Sequence, residues 1–156
     1  MRTERAFVAS LADLAGATPL VEIPLASDRP RARVLAKCEQ YNPTGSLKDR
    51  LAPALLAEAQ RAGCTSLVVA SSGNLAVALA MLAARAKLPI TAVLPATVPI
   101  EMRQLCALYR AKVVLSDPEQ QLRGAVSRAH AIASETPGAH VLSPFDGFDP
   151  HAVYAE

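Results

Sequence analysis

The sequence predicts an α/β fold: a parallel sheet in three layers, with helices on both faces. Two observations carry that prediction. Short aliphatic runs alternate at least four times with segments of helical period, joined by short loops, which is the pattern of βαβ crossovers. The hydrophobic residues make up 51% of the chain, yet there are only three Phe, three Tyr and no Trp. A core of Ala, Val, Leu and Ile suits helices laid on a sheet. At 156 residues the chain holds one domain with a proper core, and two full domains would be cramped.

Each element follows in order. Thr3 is placed to cap a first helix that runs to about Leu14 and stops at Gly16. Thr18-Pro19 leads into an extended piece, Leu20 to Ile23. The polar loop Ser27-Asp28-Arg29-Pro30 precedes a strand from Arg33 to Glu39. From Ser46 to Ala62 the period is helical and Gly63 ends it. Pro53 falls inside that helix, where it removes an intrahelical hydrogen bond and is expected to bend it. A buried strand, Ser66 to Ala70, is followed by a helix from Asn74 to about Arg85. Pro89 opens a strand over Ile90 to Leu94, a helix covers Ile100 to Leu108, and another strand covers Lys112 to Leu115. A helix from Pro118 to about Ser134 precedes the last strand, His140 to Leu142. Residues Asp149 to Glu156 read as the entrance to a further element.

Composition excludes several functions. The formal net charge is +2 and the basic residues are scattered. Arg29, Arg31 and Arg33 come nearest to a cluster, but no aromatic lies between them, so no nucleic-acid partner is expected. Cys38, Cys64 and Cys106 lie far apart with no His at ligand spacing, so neither a metal site nor a disulfide framework is expected. The first residues lack the apolar stretch of a signal peptide. The longest uncharged apolar run, Leu75 to Ala84, is about half a membrane span. The expectation is a reduced, soluble, cytoplasmic protein with no membrane partner.

Chemistry concentrates in two turns. The first is Asn42-Pro43-Thr44-Gly45-Ser46-Leu47-Lys48-Asp49-Arg50, between a strand and a helix. Pro43 and Gly45 make it tight, and Ser46 or Thr44 can cap the helix. Lys48 then falls in the first helical turn, where the macrodipole disfavours a cation. One reading is an exposed lysine paired with a neighbouring acid. A second is a phosphate-binding loop, but the upstream glycine is missing and no Gly precedes Lys48. The third is an amine kept nucleophilic by the dipole and by desolvation, ready to attack an aldehyde.

The second turn, Ala70-Ser71-Ser72-Gly73-Asn74, also joins a strand to a helix. It reads either as an ordinary turn capped by Ser72 or Asn74, or as a carboxylate site made by small residues and open helix amides.

Val34 to Glu39 together with Asn42 to Arg50 resembles the segment carrying the cofactor lysine in cysteine synthases, threonine synthases and serine/threonine dehydratases. These are the tryptophan-synthase-β-like (fold type II) enzymes of pyridoxal 5'-phosphate. Gly16-Ala17-Thr18-Pro19-Leu20-Val21 resembles that family's opening. The resemblance implies that Lys48 forms the Schiff base with the cofactor and, once substrate frees it, shuttles the Cα proton. Lys37, Lys87 and Lys112 lack this setting. It further implies that Ser71, Ser72 and Gly73 hold the substrate carboxylate and that Asn74 hydrogen-bonds the cofactor's phenolic oxygen.

This chain departs from the family in places. Leu75 and Ala76 stand where cysteine synthases typically have Thr and Gly. Leu142-Ser143-Pro144-Phe145-Asp146 is more similar to the dehydratase and threonine-synthase versions, although Asp146 also reads as a turn residue before Gly147. Arg110 stands at a helix end where the family tends to have Gly. The glycines are all isolated, so the family's glycine-rich phosphate loop is not found.

The resemblance therefore implies the N-terminal half of such an enzyme over residues 1–156. About 1–40 would begin its large domain, about 41–145 would form its small mobile domain, and the C-terminal half would be absent. The implied activity is β- or γ-elimination or replacement on an amino acid such as serine, threonine or an O-activated derivative, by a homo-oligomer, a dimer. The rival expectation is a truncated, non-catalytic relative acting as a binding or regulatory module.

Overall fold

A computed structural model describes residues 8–24, 33–143 and 151–154. Its centre is a four-stranded parallel sheet in the order β5-β4-β3-β6, built from β3 (Ser66–Ala70), β4 (Ile90–Pro95), β5 (Lys112–Ser116) and β6 (Ala139–Leu142). Successive side chains of a strand point to opposite faces, so each strand feeds two cores. Leu67, Val69, Ala92 and Leu94 pack with α1 (Lys48–Arg61), α2 (Asn74–Ala86) and α3 (Ile100–Leu108). Val68 and Val93 face the other way, onto Ala125 and Ala129 of α4 (Gln121–Glu135). Helices thus cover both faces, as the sequence predicts.

The helix α2 is buried all round, every residue from Leu75 to Ala83 included. That is possible because four of those nine are alanines, which let α1 and the sheet approach closely. Each leucine buried as fully as Leu51, Leu67, Leu79 or Leu94 contributes about 1.5–3 kcal/mol by leaving water. The helix α1 runs through Pro53 without interruption, with the proline on its exposed side.

Three helices end in one hydrogen-bonding pattern, the Schellman motif. Gly63, Lys87 and Arg110 occupy its left-handed position, at φ of 72°, 56° and 63°. After each, the next residue's N–H reaches back five residues: Cys64 to Ala59, Leu88 to Ala83, Ala111 to Cys106. Only the first of the three has the residue that this geometry favours. Arg110→Gly is therefore expected to raise the stability of the chain by up to about 1 kcal/mol, read as a higher urea midpoint with an unchanged slope. An unchanged or lower midpoint would mean that the arginine side chain compensates its own backbone strain.

Other differences from the sequence reading have local causes. The first helix is a single 3-10 turn, Leu11–Leu14, capped reciprocally by Ser10 and Asp13; the expected cap Thr3 lies outside the described residues. The helix α4 starts at Gln121 rather than Pro118, because Asp117 accepts the Glu119 N–H at 2.9 Å and holds a separate turn. Gln121 itself adopts φ 46°, which breaks continuity with that turn.

The sheet described above does not include β1 (Leu20–Ile23) and β2 (Val34–Lys37), which pair antiparallel with each other. Leu20, Val21, Ile23, Val34 and Leu35 of this hairpin are all exposed. A short helix, α5 (His151–Tyr154), returns to the start of α1. Among the described residues no helix is long and apolar enough to cross a membrane.

Candidate active site

The lysine turn is held by its own side chains. Gly45, at φ 80°, donates its N–H to the Asn42 carbonyl at 2.9 Å and closes the turn. Ser46 Oγ accepts the Lys48 N–H at 3.2 Å, so Ser46 does the capping although Leu47 is the residue at the helix boundary. Asp49 is buried, and its carboxylate accepts the Thr44 N–H at 2.7 Å and the Thr44 hydroxyl at 2.5 Å. An acid in the first turn also suits the helix dipole.

The reading of Lys48 as paired with a neighbouring acid finds no support among the described residues. Its neighbouring acid is committed to Thr44, and among the described residues no carboxylate pairs with the lysine. Its Nζ lies instead 3.5 Å from the Tyr154 hydroxyl.

The second turn leaves a helix end open. Gly73 sits at the boundary of α2 with φ 141°, and no side chain caps it. Neither Ser72 nor Asn74 is therefore the cap. Ser71 turns back instead, accepting the Gly73 N–H at 3.0 Å. The first amides of α2 lack intrahelical acceptors and point outward, which favours an anion. A side chain at Gly73 would meet Met102, whose Cγ would stand 3.2 Å from an added Cβ.

The two turns meet. Lys48, Ser71, Ser72 and Asn74 line one cleft of about 320 Å³, walled on the apolar side by Leu75, Pro99 and Met102. A larger cleft of about 400 Å³ lies elsewhere, against Leu55, Glu58, His130 and His140. It holds Leu142 and Ser143, where the dehydratase-like stretch begins, but none of Lys48, Ser71, Ser72, Gly73 and Asn74, and we place the candidate site where the amine, hydroxyls and open amides converge.

Behind the lysine helix lies a charged joint that sequence reasoning missed. Arg50 binds Glu39 through two hydrogen bonds of 2.9 Å. Glu39 also accepts from Thr18 at 2.6 Å and Asn42 at 2.8 Å, and Asn42 accepts the Gly16 N–H at 2.8 Å. Thr18 and Asn42 are buried. The Arg50 guanidinium, with the Thr18 and Asn42 donors, holds the Glu39 carboxyl down to about 2. The joint ties the Gly16–Thr18 segment and the lysine turn to one face of α1. No local signal shows it, since Glu39 and Arg50 are eleven positions apart. Pro99 and Met102 were missed for the same reason. Lys37 donates to the Thr18 carbonyl at 2.5 Å, a structural role. Burial pushes the Cys106 thiol up to about 11, which leaves it inert.

Comparison with known proteins identifies the family. The family model described as pyridoxal-phosphate dependent enzyme matches residues 11–155. The chain belongs to that family. It is 36% identical over 148 residues to cysteine synthase 3 of Caenorhabditis elegans, covering 91% of this chain and 44% of that protein. It is 35% identical to a probable cysteine synthase of Bacillus subtilis, covering 89% of this chain and 46% of the other. Among solved structures, the O-acetylserine dependent cystathionine beta-synthase of Helicobacter pylori is similar with a TM-score of 0.86 and 27% identity, over 95% of this chain and 50% of that one. The chain thus spans about half the length of the curated relatives it matches. Of the stretch likened to dehydratases and threonine synthases, residues 144–146 lie outside the described residues.

The family's cofactor is pyridoxal phosphate, and the cleft suits part of it. An amine, two hydroxyls and uncapped amides face one volume, as an aldehyde and a carboxylate require. Among the described residues the phosphate has no equivalent cradle. The described glycines stand singly in sequence, each in its own turn, helix end or helix interior.

Proposed function

We propose that this chain supplies the reactive lysine and the carboxylate-binding turn for elimination or replacement at Cβ or Cγ of an amino acid such as serine, threonine or an O-activated derivative. The observation that carries the reading is the convergence of Lys48 with Ser71, Ser72 and Asn74 on one cleft. Pyridoxal phosphate, when bound, supplies an aldehyde for an amine and a ring that withdraws electrons.

Each residue then has a task. Lys48 holds the cofactor through Nζ and, when free, takes the proton from the substrate's Cα. Ser71, Ser72 and the Gly73 turn, with the open end of α2, bind the substrate carboxylate. Asn74 orients the cofactor by hydrogen-bonding its phenolic oxygen. Leu75, Pro99 and Met102 exclude water from one side. Replacing Asn74 with Ala is expected to cost about 1.5–3 kcal/mol of transition-state stabilisation, since one partner of a charge-assisted hydrogen bond is lost. The check is kcat alongside the cofactor's absorption spectrum; both unchanged would reduce Asn74 to a residue of the turn.

Relatives named as cysteine synthases, and a structural neighbour named for its dependence on O-acetylserine, favour replacement at Cβ over elimination. A partition near residue 40 is supported by the separateness of the β1–β2 hairpin from the four-stranded sheet. The exposed apolar hairpin favours a second reading, a binding module that docks on another surface and assembles as a dimer or with a larger enzyme.

One assay separates the readings. The chain, treated with pyridoxal phosphate, is offered L-serine, L-threonine, and O-acetyl-L-serine with sulfide. A new sulfur amino acid marks replacement, and a keto acid marks elimination. Neither product, with cofactor attached at Lys48, would favour the module.

A further inference from the structure

Arg103 follows Met102 in the first turn of α3 and does not itself line the cleft. Its guanidinium donates three hydrogen bonds to backbone carbonyls. Nε reaches Val98 at 3.0 Å, and Nη2 reaches Val98 at 2.8 Å and Ala96 at 2.5 Å. No carboxylate pairs with it among the described residues. Ala96 and Val98 lie between β4 and α3, outside strand and helix, so a side-chain donor takes the place of a ladder partner for their carbonyls. Their amides are held as well: Ala96 donates to the Ser116 carbonyl of β5 at 3.2 Å, and Val98 to the Pro95 carbonyl at 3.0 Å. Val98 is buried. The connection from β4 to α3 is thus pinned on both sides.

That connection leads directly into the apolar wall of the cleft, made by Pro99 and Met102. The Met102 side chain lies over Gly73, close enough that an added Cβ there would stand 3.2 Å from its Cγ. Gly73 is the residue at the uncapped start of α2. The wall therefore limits how far the turn with the open amides can shift. We infer that Arg103 is a positioning residue for the carboxylate site. By clamping the Ala96 and Val98 carbonyls it holds Pro99 and Met102 against the Gly73 turn, and so keeps the amides of α2 aimed at the substrate's carboxylate. Arginine suits the task because its N–H groups form a rigid fork, whereas a lysine ammonium is a point charge on a flexible stem. The inference rests on reading the Ser71–Asn74 turn as the carboxylate site.

The test labels Lys48 of the whole chain with pyridoxal phosphate and borohydride in the presence of two competitors. One is L-serine, and the other is ethanolamine, the same molecule without its carboxylate. Label on the exposed Lys87 and Lys112 corrects for cofactor consumed by the amines in solution. The corrected ratio of half-protecting concentrations, ethanolamine over serine, reads what the carboxylate adds at the site. Arg103→Leu should shrink that ratio about three- to ten-fold, the worth of roughly one hydrogen bond at the turn. Arg103→Lys should retain part of it, since an ammonium reaches a carbonyl without holding two in a fixed fork. An arginine that only stabilises the fold would weaken both competitors alike, so an unchanged ratio in folded Arg103→Leu overturns the inference. Should that variant lose its fold in a urea melt, Arg103→Lys decides alone. A ratio below the wild type's then supports the inference, and an equal one overturns it. A ratio of one in the wild type is a different failure: it sinks the reading of the Ser71–Asn74 turn as the carboxylate site, and the inference with it.

Discussion

Lys48→Ala is expected to lower turnover by at least about 10³-fold in any preparation of this protein that is active. Under the proposed function the substitution removes two roles from one atom, the attachment of the cofactor and the movement of the Cα proton. General acid–base catalysis alone is worth about 10²–10⁴-fold. Stability should hardly change, because the half-buried amine pairs with no carboxylate among the described residues and sits at a helix start, where a cation is disfavoured. The check is kcat beside a urea melt of the same sample. Turnover within tenfold of the wild type would move the chemistry to another residue.

The second large effect concerns stability. Arg50→Met should cost about 2–3 kcal/mol at neutral pH. It strips the guanidinium from a carboxylate whose side chain is only 21% exposed and whose other partners, Thr18 and Asn42, are buried. The loss should depend on pH with a definite sign. Glu39 is held down to about 2 in the folded chain, against an ordinary value of 4.5. A depressed carboxyl contributes stability that is fully present above the unfolded value and is lost as pH falls through the folded one. The gap between wild type and variant should therefore be widest above pH 4.5 and shrink as pH falls towards 2. Urea midpoints across that range provide the measurement. A gap that does not narrow with acid would mean that the pair contributes through packing of the arginine stem alone.

What was legible in the sequence follows from how local each signal is. The strand Ser66–Ala70 and the helix Ile100–Leu108 fall where the pattern puts them, because an unbroken aliphatic run and a Pro-bounded helical period have few rivals. The start of α4 was not legible. There a side chain, Asp117, competes with the helix for backbone amides. The pairing of β1 with β2 was hidden too: their residues are exposed on both faces, so no alternation marks a buried side. The site divides in the same way. Lys48 and the Ser71–Asn74 turn are contiguous motifs with chemistry in their residue types. Met102, Tyr154 and the Glu39–Arg50 joint are made by contacts across the fold, and no spacing rule reaches them.

The central claim is that one lysine of the four in this chain, Lys37, Lys48, Lys87 and Lys112, is built to hold the cofactor. It is tested most directly by incubating chain 1–156 with pyridoxal phosphate, reducing with borohydride and mapping the labelled peptides. The account predicts label concentrated on Lys48, reduced by competition with a carboxylate-bearing substrate such as L-serine that occupies the Ser71–Asn74 turn. Label spread evenly over the lysines, or concentrated on Lys37, Lys87 or Lys112, would contradict it.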